Sequence, residues 1–507
     1  GVDLISYAGA AAGVAASLTS AAGAGSGTVG EAAGDVLSNA EGLRGSDFND
    51  TLGAVGGAQT LSGGSGNDIY VLSGTDAGAV TVVETAGQGL DEMRTSTRSS
   101  LTLAANVETL TNLGSGAFTG IGNALANLMT GGSGNDILRG GEGADTLIGG
   151  QGQDLASYLD SAVGVTVGLA AGATRTGLAS GDVFIGIEGL EGSNAADSLS
   201  GDAEANLLSG LVGNDTLTGG SGADTLDGGV GVDVVSYAGA AAGVAVSLTS
   251  SAGTGTGTAG EAAGDVLANV EMVVGSAFND TLGAVGGAQT LSGGAGDDVY
   301  VLDGTGAVTL VEAAGQGLDE MRTSTRSSLT LAANVETLTN LGSGAFTGTG
   351  NELANLLTGG TGNDLLQGLD GADTLTGGSG ADTLNGGVGV DRLTGGDGTD
   401  LFVFGPGHAG STTEGAIDQI TDFTSGADRL KIGVTGPVQV LTAETSYASA
   451  LASATTALAS GSADIVTASV GTTTYVFADT NNDNLVDTVI ALTGPTAPAI
   501  LATDFVA

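Results

Sequence analysis

The sequence contains no cysteine and no tryptophan, and only four prolines, one lysine and one histidine. Without cysteine no disulfide can staple the chain and no thiolate can hold zinc. A lone histidine, His408, cannot build a HExxH-type cluster and reads as a loop residue. Aromatic residues make up 3% of the chain, so large core anchors are few. The 41% hydrophobic content is mostly small or β-branched, which suits a thin solenoid of stacked strands better than a thick globular core. No apolar run reaches the roughly 18 residues of a membrane span, and no N-terminal signal with a basic leader is present. Basic residues are scarce as well. Ten Lys and Arg stand against 56 Asp and Glu, a net charge of −46 that repels nucleic acids and anionic membranes and makes a cation the natural partner. Neither a GxSxG elbow nor a phosphate-binding loop occurs, and the single lysine, Lys431, lies in an apparent strand. The chain is therefore expected not to be an enzyme.

What is abundant is glycine, 96 residues of it, and much of it is periodic. Units of the form Gly-Gly-x-Gly-x-Asp-x-apolar-x run in tandem over residues 131–157, 201–236 and 359–404, with single copies at Gly63 and Gly293. The glycines permit the positive φ of a tight turn and a close approach of backbone to an ion. A short strand follows, its apolar residue turned inward. Two units make about one coil, so the strands stack into parallel sheets and the turns into columns. Each column gathers aspartates and turn carbonyls. Carboxylates about 4 Å apart repel by about 1 kcal/mol even in water, and a hard cation with an oxygen shell removes that penalty. Calcium suits such flexible cages better than magnesium.

Longer repeats frame these units. "GVDLISYAGAAAGVAASLTS" at Gly1 returns as "GVDVVSYAGAAAGVAVSLTS" at Gly231, and after a two-residue deletion near Ser73 the match continues through "GQGLDEMRTSTRSSLTLAANVETLTNLGSGAFTG". Long modules thus cover 1–130 and 231–358, and a looser echo lies at Ser157-Tyr158. Segments such as "GVAVSLTS" and "LTLAANVETLTNL" keep strand periodicity, so one solenoid over 1–404 is favoured over several short rolls with linkers. Beyond it, residues 405–507 carry an alanine-rich helix from Thr445 and strands at "TTTYVFAD" and "DTVIAL", a block placed to cap the open strand edges. The arginines of the two "DEMRTSTR" stretches, with Arg139 and Arg392, are expected to neutralise nearby acids.

The units resemble the RTX (repeats-in-toxin) nonapeptides. That resemblance implies an all-β, right-handed parallel β-roll or β-helix solenoid with a small C-terminal cap, and multiple calcium ions between consecutive turns. The family's calcium-binding aspartate falls on Asp68, Asp136, Asp145, Asp154, Asp215, Asp224, Asp233, Asp298, Asp364, Asp373, Asp382, Asp391 and Asp400. Weaker or absent ions are expected where the pattern departs: Asn206 replaces an aspartate, Leu211 and Leu369 replace the second glycine, and "GSDFNDTL" at Gly45 keeps only Asn49-Asp50. A further ion site is suggested by "DTNNDNLVD", where Asp479, Asn481, Asp483 and Asp487 occupy positions 1, 3, 5 and 9 of an EF-hand-like loop and Asn484 the left-handed turn. Ile490 stands where the bidentate glutamate belongs, and a solvated Asp/Asn turn is the competing reading.

"ITDFTSGADRLKIG" and "ILATDFVA" resemble the uncleaved C-terminal signal of type I secreted RTX proteins, which implies the type I secretion machinery as a partner. The chain begins in the middle of a nonapeptide, and more protein is expected upstream. Two functions follow. One is a secreted calcium-binding structural protein that folds on external calcium and self-assembles, as homo-oligomer, lattice or filament, at the surface of a Gram-negative cell. The other is the secretion and folding module of a longer enzyme, toxin or adhesin.

Overall fold

A computed structural model describes residues 2–74, 80–405, 408, 412–434 and 436–506. The two-residue deletion between the long modules falls beside residues 75–79, outside the described residues, as does part of the stretch around His408. The chain divides into two compact units, one of residues 1–237 with 256–272 and the other of residues 238–255 with 273–507.

The first unit is a parallel β-roll. Short strands pair with strands about a coil away, as in Thr109–Asn112 beside Leu128–Gly132 and Leu128–Gly132 beside Thr146–Gly150 on one face. The opposite face stacks Thr119–Ile121, Ile137–Arg139, Leu155–Ser157 and Gly189–Glu191. One inward residue per strand fills the space between: Leu110, Met129 and Leu147 in one column, Leu138, Ala156 and Leu190 in the other, all essentially without solvent exposure. The stack needs only one apolar position per strand, which is why small residues suffice.

The long module departs from simple wider coils at one point. Gly25–Val29 runs antiparallel to Ala15–Leu18, because a turn closed by Thr19 N–H on the Ala24 carbonyl and by left-handed Gly23 reverses the chain before the next coil begins. At the looser echo, Thr166 and Thr176 form an antiparallel bridge followed by a 3-10 turn at Gly177–Ala179. Tyr7, of the first "SY" block, and Tyr158, of its looser echo, each donate a hydroxyl hydrogen bond to the aspartate that ends the detour, Asp35 and Asp182.

The second unit repeats this roll and carries the longest nonapeptide series. Leu357, Leu375, Leu393, Ile420 and Leu492 pair in register down one face, and Leu366, Leu384, Phe402, Leu430 and Phe505 down the other. Strands here reach seven residues, as in Thr374–Gly380, because the leading glycines of the next unit also pair across coils. Parallel pairing runs past Phe404, through Asp418–Ile420 and Arg429–Lys431, to Thr488–Thr493 and Phe505–Val506. The expected helix is Tyr447–Ala459, started by a Ser446–Ser449 capping box. It packs on the antiparallel strands Ile465–Val470, Thr473–Ala478 and Thr488–Thr493 around Ala450, Ala454, Leu458, Phe477 and Val489. The C-terminal block thus completes both faces of the roll. Among the described residues no helix is long and apolar enough to cross a membrane.

In the 359–403 series the second and fourth places of each unit are left-handed, with φ of 97° at Gly360 and 136° at Gly362. Leu211 and Leu369, at second-glycine places, are forced to φ of 72° and 83°. A side chain with a Cβ is strained there by about 1–2 kcal/mol. Leu369→Gly is therefore expected to raise the urea midpoint of the calcium-loaded protein by the equivalent of about 0.5–1 kcal/mol, after the entropy glycine adds to the unfolded chain. An unchanged or lowered midpoint would show that the turn does not strain this leucine.

Candidate metal centre

The repeat aspartates are placed by the coil. Each is the residue just before a strand, with its side chain folded under the glycine turn of its own unit, and every one of the thirteen is buried. One carboxylate oxygen has a fixed task. Oδ1 accepts the backbone N–H of the aspartate one coil earlier, 18 residues back in the regular stretches: Asp136 N–H to Asp154, Asp215 to Asp233, Asp364 to Asp382, Asp373 to Asp391 and Asp382 to Asp400, at 2.8–3.0 Å. Sequence spacing did not reveal this ladder. It joins the turns of neighbouring coils through backbone and carboxylate together.

The ladder also enlists residues outside the nonapeptides. Asp182 and Asp265, which end the "SY" detours, accept from Asp145 and Asp224. Glu188 and Glu271 accept from Asp154 and Asp233, Asp91 and Asp319 from Asp68 and Asp298, and Asp418 and Asp428 from Asp391 and Asp400. Their signal in the sequence was an acid at or immediately before the start of a strand, without the glycines that mark the repeat.

The second oxygen, Oδ2, is what sets the repeat aspartates apart. In all of the thirteen except Asp400 it is buried and has no hydrogen-bond partner. It lies against the first glycine of its own unit, and at Gly131, Gly210, Gly359, Gly368 and Gly377 the carbonyl of the first glycine one coil later also converges there. At Gly359 a Cβ would meet Asp364 Oδ2 at 2.6 Å and the Gly377 carbonyl at 2.7 Å, and at Gly131 Asp136 Oδ2 at 2.5 Å and the Gly149 carbonyl at 2.8 Å. The first glycine is thus required for room, not for a left-handed φ. Burial, reinforced by neighbouring carboxylates, pushes Asp373 up to about 7 and Asp136, Asp145, Asp215, Asp224 and Asp400 up to about 6. Burial raises Asp154, Asp233, Asp364, Asp382 and Asp391 in the same direction. A buried carboxylate oxygen with no donor, beside backbone carbonyls, is a donor set for a hard cation. When bound, calcium supplies the charge and the roughly six to eight oxygen positions that such a set requires.

The departures from the pattern have a different geometry. Asp50 is buried too, but its oxygens accept from Val14 N–H, Ser46 N–H and the Ser46 hydroxyl. Asp280 does the same with Val244 and Ser276, and Asp197 with Val165 and Ser193. In each, serine stands where the second glycine would be and supplies the protons that a cation would otherwise replace. Asn206 satisfies itself: its oxygen accepts Asp202 N–H and its amide donates to the Glu188 carbonyl. By contrast, Asp215 and Asp373 keep a partnerless Oδ2 despite Leu211 and Leu369.

In the EF-hand-like loop the structure brings Asp479, Asp483 and Asp487 together, with ligand atoms within 4.8 Å of one another. Asn484 is left-handed as expected, and so is Asn482. Loop donors already engage these carboxylates: Asp479 accepts from Asp483 and Asn484, and Asp487 from Thr480 and both the N–H and the amide of Asn481. Ile490 is buried in the strand that follows. Arg94, Arg322 and Arg139 pair with Glu92, Glu320 and Asp160 on outer faces.

A family model matches the same repeats. The family model for the RTX calcium-binding nonapeptide repeat, hemolysin type, matches residues 44–74, 121–156, 200–235, 274–304, 349–384 and 376–408. The endo-1,3-1,4-beta-glycanase ExsH of Rhizobium meliloti (strain 1021) is 44% identical over 89 residues, 17% of this chain and 18% of that protein's length. Among solved structures, the AlgE6R2 subunit of the Azotobacter vinelandii mannuronan C5-epimerase is 25% identical, covering 32% of this chain and 91% of its own, with a TM-score of 0.23. The extracellular lipase LipA of Serratia marcescens is 15% identical over 63% of this chain and 39% of its own, with a TM-score of 0.22. Matched segments and partnerless aspartate oxygens coincide along both units: the chain carries RTX calcium-binding nonapeptide repeats of the hemolysin type, which indicate multiple calcium ions.

Proposed function

We propose that the chain is a secreted structural protein that leaves the cell by type I secretion, folds on external calcium and assembles with copies of itself as an S-layer, sheath or filament on a Gram-negative cell. The observation that carries this reading is the pair of near-identical long modules, which display the same apolar side chains to solvent. Leu90 and Leu318 are 67% and 70% exposed, and Leu113 and Leu341 are 66% and 65% exposed. Large apolar side chains displayed twice in the same setting favour multivalent contact between copies, where each weak contact raises the effective concentration for the next. In this reading no residue is catalytic, in keeping with a chain that has one histidine and no cysteine.

A titration of the chelator-stripped protein with calcium, followed by circular dichroism, light scattering and negative-stain microscopy, tests it. Ordered assemblies appearing with the β signal, and reduced in L90S/L318S, are the expected result. Calcium-induced folding to a stable monomer would overturn it in favour of a second reading, a folding and secretion module of a longer protein. The 44% identity to a short segment of a glycanase favours that second reading.

A further inference from the structure

We propose that at the two single nonapeptides the calcium site is completed by acids from outside the repeat, Glu84 and Asp91 beside Asp68, and Glu312 and Asp319 beside Asp298. In each trio the carboxylate oxygens lie within 4.8 Å of one another. The clusters do not rest on acidity alone. Asp68 and Asp298 are each 1% exposed, and the Oδ2 of each, which lies with the Tyr70 or Tyr300 hydroxyl against Gly63 or Gly293, has no partner; Glu312 Oε2 is partnerless as well.

The trio arises where a single nonapeptide meets the long module. A tyrosine, Tyr70 or Tyr300, stands at the inward apolar place of that unit, where most units of the tandem series have leucine. Its ring is fully buried, and its hydroxyl reaches the turn, accepting the N–H of Gly63 or Gly293 at 2.6 and 2.7 Å. In the first copy that hydroxyl also donates to Glu84. Glu84 and Glu312 are drawn under the turn from a following segment, and each accepts the same glycine N–H. Asp91 and Asp319 close the set from the next coil, each holding the N–H of its repeat aspartate.

The second trio is assembled across a linker two residues shorter than the first, so the constellation is a property of the coil and not of local spacing. Three carboxylates meet where an ordinary unit brings one or two. Burial first, and then the charge of carboxylates within and around each trio, among them Asp50, Glu108, Asp280 and Glu336, pushes Asp68, Glu84, Asp298 and Glu312 up to about 7 and raises Asp91 and Asp319. An all-carboxylate set with a neutral hydroxyl beside it is oxygen-only and anionic, the chemistry of a calcium cage.

Equilibrium dialysis of the full chain against about 0.1 mM calcium tests this. E84Q/E312Q is expected to bind two fewer ions per chain than the wild type, and E84Q alone one fewer, with the remaining ions unaffected. An unchanged count in E84Q/E312Q overturns the proposal and leaves the trio as a proton-sharing cluster. A chain that binds no calcium in any form overturns the nonapeptide reading together with this one. Should the glutamine variants fail to fold, tyrosine-sensitised terbium emission decides. Sensitised emission reduced in Y70F/Y300F, against a remainder from tyrosines such as Tyr158 and Tyr237 near other turns, is expected, and emission indifferent to Y70F/Y300F refutes the sites.

Discussion

Stripped of calcium at about pH 7.5, the protein is expected to lose most of its β-sheet circular dichroism, and to regain it either in millimolar calcium or, without calcium, on acidification to about pH 5. The direction follows from the aspartates. Burial holds Asp68, Asp298 and Asp373 up at about 7, and Asp136, Asp145, Asp215, Asp224 and Asp400 up at about 6. In the unfolded chain these groups titrate near about 3.9. Between those values the folded chain binds more protons than the unfolded one. The stability these groups contribute is complete below about pH 4 and is lost as pH rises through 6 to 7. Net charge of −46 adds self-repulsion of the same sign.

Calcium inverts this dependence, since it binds the deprotonated carboxylates and must displace protons to do so. Loaded protein is expected to bind calcium more weakly at about pH 5 than at about pH 7.5, while the metal-free chain is more stable at the lower pH. Thermal melts at the two pH values, with and without chelator, check both halves. A metal-free chain that gains stability from about pH 5 to 7.5 would mean that the buried carboxylates are ionised and already compensated, which contradicts the partnerless Oδ2 geometry.

Gly359→Ala is expected to cost the equivalent of about 2–4 kcal/mol and to release a calcium ion, although general rules favour the opposite. Gly359 is not left-handed, so alanine fits its backbone and by lowering unfolded-state entropy would stabilise by about 0.4–1 kcal/mol. The obstacle is Asp364 Oδ2 at 2.6 Å and the Gly377 carbonyl at 2.7 Å from the new Cβ. Moving either breaks the donor set that the turn holds. Gly344 provides the control: it is also outside the left-handed region, and a Cβ there meets nothing within 4 Å. Gly344→Ala is expected to leave both the calcium count and the urea midpoint unchanged or slightly raised. Equal behaviour of the two variants would mean that the first glycine of the unit is not kept for the carboxylate.

The nonapeptide rhythm was legible because it is local. Glycine at fixed places makes the turn, one apolar residue in each unit faces inward, and two units fill a coil, so parallel stacking and the identity of the repeat aspartates follow from residues a few positions apart. The helix at Tyr447–Ala459 was legible for the same reason, through alanine content and a serine cap. The antiparallel excursion at Gly25–Val29 was less so, because its small residues suit any extended strand and only the turn before it sets the direction.

Ligand partnership belongs to another level. Asp50 and Asp68 are both aspartates before a strand, both buried, and joined by one hydrogen bond, yet Ser46 donates hydrogen bonds to the carboxylate of one while the other keeps an oxygen without a donor. Glu84 and Asp91 carry no repeat signature and reach Asp68 only because the next coil lays them beneath its turn. The sequence by itself determined the period, the turn and the charge of this protein. Which carboxylates meet, and which oxygens are left for a cation, was decided only by stacking, since those contacts join residues a full coil apart whose spacing varies with every excursion of the chain.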